Sequence, residues 1–68
     1  MHKELDTIQT LQALPASGLA AGAVGVVLEV FTTPQLAYLV EFADADGQTL
    51  AMPTLLPSQI SAAKAVAA

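Results

Sequence analysis

Two glutamates, Glu29 and Glu41, are the residues in this chain best suited to acid–base chemistry. Each occupies an outward position on a candidate β-strand, and adjacent strands would bring the two carboxylates together. Paired carboxylates act as acid and base when burial drives their pKa values apart, whereas like charges opposed on an open sheet only destabilise it. Nothing in the sequence encloses this pair, so both read as solvated surface acids. Val27 and Leu39 fall on the same outward face, and two apolar residues beside two acids describe a protein contact patch rather than a catalytic one.

The other candidates fail on spacing. Asp44-Ala45-Asp46-Gly47 places two carboxylates as a calcium loop would, but the twelfth position is Leu55, where a bidentate glutamate belongs, and no third carboxylate lies between. The stretch reads as a turn. His2, Ser17, Ser58 and Ser61 do not form a triad, because the histidine lies in an N-terminal segment (residues 1–3) expected to be loose and no acid is placed to orient it. With no cysteine and a single histidine, neither a thiolate zinc site nor an imidazole cage can form. The expectation is therefore no enzyme, no catalytic residue, no metal and no cofactor.

Charge narrows the partners. The net charge is −4, and Lys3 and Lys64 are the only basic side chains, which argues against nucleic acid because phosphate binding depends on lysine and arginine. The Gly22–Val26 turn resembles the glycine–valine loop of nucleic-acid-binding KOW barrels but lacks their basic residues. The longest nearly apolar run, residues 18–28, has 11 residues and ends at Glu29, short of the roughly 20 that span a bilayer as a helix. Acids follow Met-His-Lys where a secretory signal would turn apolar, so a cytoplasmic location is expected and no membrane.

These residues must be positioned by strands. Residues 24–31, Val-Gly-Val-Val-Leu-Glu-Val-Phe, are rich in valine, whose branched Cβ disfavours helix and packs well on a pleated sheet. Period-two alternation assigns Val24, Val26, Leu28 and Val30 to the core and Gly25, Val27, Glu29 and Phe31 to the outside. Gly22 and Gly25 fit places where the backbone turns sharply or passes close to a neighbour. A first strand is expected over residues 4–11, with Asp6, Ile8 and Thr10 on one face. A loop over 14–22 follows, with Leu19 tucked beneath it; the alternative is a mobile loop that exposes Leu14 and Leu19 to a partner. After a turn at Pro34, a strand over 36–43 puts Tyr38, Val40 and Phe42 on the core face. Asp44–Gly47 makes a hairpin, residues 49–52 return antiparallel, Pro53 ends or edges that strand, and Pro57-Ser58-Gln59 forms a 3₁₀ turn. The fold class expected is all-β, a small SH3-like barrel of about five antiparallel strands closing on one interior over residues 4–60. Residues 61–68 form an alanine-rich tail, helical or disordered.

The chain resembles the bacterial family catalogued as domain of unknown function 4926. The features that carry this are Glu4-Leu5-Asp6, Leu14-Pro15, Gly18-Leu19, the run from Gly22 to Val30, Tyr38-Leu39-Val40-Glu41-Phe42, Asp44–Gly47 and Thr49-Leu50. The resemblance implies an SH3-like barrel without assigned chemistry, set beside a small partner protein in the manner of toxin–antitoxin pairs. It brings no catalytic residues, and Ala23 stands where an acidic residue is common. The function expected is a non-catalytic protein-interaction module, an accessory or neutralising partner of another small protein. Val27, Glu29, Leu39, Glu41 and Asp46 would be its contact residues. The competing expectation is a self-assembling barrel that forms a homo-oligomer.

Overall fold

The computed structural model describes residues 1–63. Six strands follow one another: β1 (Thr7–Thr10), β2 (Val24–Phe31), β3 (Ala37–Ala43), β4 (Thr49–Ala51), β5 (Thr54–Leu55) and β6 (Ile60–Ala62), with 3₁₀ turns at Pro15–Ser17 and Pro57–Gln59. All pairings are antiparallel, in the order β4-β3-β2-β1-β6, and β5 pairs with β3 beside β4. This all-β arrangement is consistent with an SH3-like fold. The ladder expected to close does not: among the described residues β4 and β6 end it without pairing to each other.

The core forms where the inner faces of these strands meet. Ile8, Val27, Tyr38, Val40, Phe42, Leu55 and Ile60 are buried together, with Leu14 tucked in from the loop and Leu19, Ala23, Val30 and Leu36 packed against them. Tyr38, Val40 and Phe42 lie on the inner face as their alternation predicts. Each large apolar side chain fully buried in this way stabilises the fold by about 1.5–3 kcal/mol.

In β2 the expected phase is wrong. Val27 is completely buried and Val24 is 56% exposed. The cause is a β-bulge: Val27 pairs with Val40 while Glu29 pairs with Leu39, so β2 advances two residues where β3 advances one, and Leu28 is the extra residue. Before the bulge Gly25 and Val27 point inward; after it Val30 does, opposite Tyr38. Gly25 is buried because nothing larger fits. A Cβ there would lie 2.8 Å from both the Glu41 carbonyl oxygen and Val40 Cγ1, and 2.9 Å from Phe42 Cδ2. Gly22 serves the other need of a glycine, a backbone φ of +82° in the turn before the strand.

That turn is tied to β1 by Thr10, the one buried polar residue among the described core positions. Its hydroxyl donates to the Ala20 carbonyl at 3.1 Å and accepts from the Ala23 amide at 3.1 Å, while its own backbone bonds Ala23 and Gly22. The termini also depart from expectation. His2 donates its amide to the Tyr38 hydroxyl and sets its ring edge-on to that of Tyr38, and the Lys3 amide donates to Asp6, so the first residues are held rather than loose. Strand β6 takes in Ser61 and Ala62, two residues beyond the expected barrel boundary, and the Ala63 amide donates to the Thr7 carbonyl; residues 64–68 of the expected tail lie outside the described residues.

Two stability tests follow from this packing. Gly25→Ala should lower unfolding free energy by about 1–3 kcal/mol through overpacking. Gly25→Val and Val40→Asp should abolish the folded state, whereas Glu29→Gln should stay within about 0.5 kcal/mol of the parent. Urea denaturation showing equal tolerance of all four changes would refute the assignment of inner and outer faces. Thr10→Val keeps the shape of the side chain but removes both hydroxyl bonds, leaving the Ala23 amide and the Ala20 carbonyl only their bond to each other, for an expected loss of about 0.5–1.5 kcal/mol; Thr10→Ser should recover most of it in the same melts.

Candidate protein-binding face

The outer face of the sheet is built by the pairing register. At one end Leu39 lies between Glu29 of β2 and Thr54 of β5. One step along, Val26 lies between Thr7 of β1 and Glu41 of β3. At the far end Val24 pairs with Gln9, which in turn pairs with Ser61. Since cross-strand partners point to the same side of a sheet, these residues share one surface. It alternates apolar side chains with carboxylates and small polar groups, and among the described residues no strand carries a lysine, arginine or histidine.

Of the five residues expected in the contact patch, the structure keeps four at the surface. Glu29 is exposed, and Leu39 and Glu41 are half-buried on the outer face. Val27 is a core residue and is removed from the patch: the bulge at Leu28 gives it the opposite face from Glu29, although they are two residues apart. Asp46 is exposed but stands off the sheet, in the turn that joins β3 to β4.

Glu29 and Glu41 are not opposed as expected. Each carboxylate faces an apolar partner, Leu39 and Val26 respectively, so the like-charge contact that would have tuned an acid–base pair does not exist in this register. Glu41 instead accepts a hydrogen bond from the Thr49 hydroxyl. The Asp44 carboxylate is also committed, accepting from the Asp46 and Gln48 amides at 2.9 Å each, while Gly47 takes a φ of +82°. These bonds make the segment a turn closed on itself.

Sequence reasoning missed Val24 and Val26 as surface residues. Both belong to an apolar run with no polar break to mark its phase, and only the register supplies the parity. Thr7 and Gln9 lie on the face opposite the buried Ile8 and Thr10, as alternation along the first strand implies. No helix among the described residues is long and apolar enough to cross a membrane.

Comparison with known proteins places the chain without describing its action. No curated protein and no solved structure matches it. Residues 4–62, which take in all six strands, match the model of the family described as domain of unknown function (DUF4926), and the chain belongs to that family.

Proposed function

We propose that this chain is a non-catalytic protein-interaction module of the cytoplasm, an accessory or neutralising partner, in the manner of an antitoxin, of another small and basic protein. The observation that carries this reading is the outer sheet face. Val24, Val26 and Leu39 supply apolar area, Glu29 and Glu41 lie directly beside them, and among the described residues no strand adds a compensating positive charge. Apolar burial would supply most of the free energy of association. The carboxylates, with Asp46 at the hairpin tip, would steer encounter and disfavour acidic partners.

Assembly with further copies of the same chain is the second reading, favoured by the exposed Leu50 and Met52 in and beside edge strand β4. Electrostatics oppose it, since every copy carries the same net charge of −4.

Light scattering on the purified chain separates the two: a mass near 6.9 kDa supports the interaction module, and a stable multiple of it supports self-assembly. With the partner present, the double variant Glu29→Lys, Glu41→Lys should slow association about tenfold or more at low salt. An association rate unaffected by both substitutions would defeat the proposed role of this face.

A further inference from the structure

Leu5 is held in a conformation that leucine disfavours, and it contributes nothing to the core. Its φ is +70°, the only positive value at a non-glycine among the described residues, and its side chain is 77% exposed. A left-handed backbone suits glycine or asparagine and costs a residue with a larger side chain. Here the surroundings impose it. The Lys3 amide donates to Asp6 Oδ2 at 2.8 Å and the Asp6 amide to the Lys3 carbonyl at 3.0 Å, closing a tight turn around Glu4 and Leu5. The turn is then pinned to β2, because the Leu5 amide donates to the Val27 carbonyl at 2.7 Å and the Val27 amide to the Asp6 carbonyl at 2.9 Å.

The place where it is pinned gives the strain a use. Val27 immediately precedes the bulge, and the next pair along is Glu29 with Leu39, one end of the proposed contact face. The bond to the Val27 carbonyl thus holds the Leu5 backbone against β2 at a point two residues before Glu29, and Leu5, its chain neighbour Glu4 and Glu29 are all exposed. Strained, fixed and exposed residues belong to functional surfaces when the rest of the structure over-determines them.

Resting on the reading of this face as a protein-binding surface, we propose that Leu5 is its anchor. It would insert into an apolar pocket of a folded partner whose rim carries lysine or arginine to meet Glu4 and Glu29. Charge complementarity selects this occupant: six acidic residues stand against two basic ones in the chain, and a second copy would bring carboxylates against carboxylates.

The test places a photoreactive benzoylphenylalanine in the full chain, in its native cells, either at Thr54 beside Leu39 or at Ala16 in the first 3₁₀ turn as control. Adducts are identified by mass spectrometry. The expected result is an adduct from position 54, and not from 16, to a protein of net positive charge. Leu5→Asn and Leu5→Gly should each reduce its yield at least tenfold without lowering the melting temperature of the chain. Unchanged yield in both variants would overturn the anchor while leaving the face intact. A lowered melting temperature in both would also overturn it, by making Leu5 a structural residue. Absence of an adduct at 54, or adducts only to this chain or to an acidic protein, would overturn the binding face itself and the anchor with it.

Discussion

The ring of Phe42 on β3 lies against bare backbone at Gly25 on β2, an approach open only to a residue without a Cβ. A side chain at position 25 would meet both that ring and the Glu41 carbonyl at under 3 Å, so the two strands could not keep their separation or their tilt. On its other side Gly25 is paired with Ile8, another fully buried residue. The glycine is therefore the floor of the core. In a chain with only three aromatic residues, Phe42 sinks onto β2 at this low point beside Val40, while Tyr38 is buried farther along, opposite Val30.

The bulge at Leu28 resolves a conflict that a regular strand could not. With strict alternation, Gly25 and Val27 facing inward would bring Glu29 inward as well, and an unpaired carboxylate in a core of this size would be prohibitive. One extra residue reverses the parity, so that Val30 continues the core opposite Tyr38 while Glu29 turns to solvent opposite Leu39. The same irregularity gives the outer face its alternation of carboxylate and apolar side chain. Core and surface are both products of one inserted residue.

Much of this architecture is legible in the residues because local chemistry and tertiary structure agree. The branched residues of β2, the Tyr38-Val40-Phe42 stripe, the Asp44–Gly47 turn and the Pro57–Gln59 3₁₀ turn all adopt the structure their types favour. The phase of β2 is illegible for a definite reason. Val24, Val26, Leu28 and Val30 make the more apolar parity, and period-two reasoning assigns one parity to a whole strand, whereas the bulge needs two. The first residues of the presumed tail were misjudged because helix propensity is weak beside pairing: Ala62 lies opposite Ile8, and Ile60 opposite Thr10, so β1 draws them into the sheet. Of the contact face, Glu29, Leu39 and Glu41 were accessible from alternation alone. Val24 and Val26 needed the register, and Leu5 needed a backbone angle that no residue type announces.

Pro53 divides what would otherwise be one continuous strand along β3 into β4 and β5, three and two residues long, and its carbonyl accepts the Val40 amide so that the break costs no bond on the inner side. A foreign strand docking along that border would find too few aligned amides before the pyrrolidine ring interrupted them. Despite its high proportion of apolar residues, the molecule thereby denies fibril growth a template on that side.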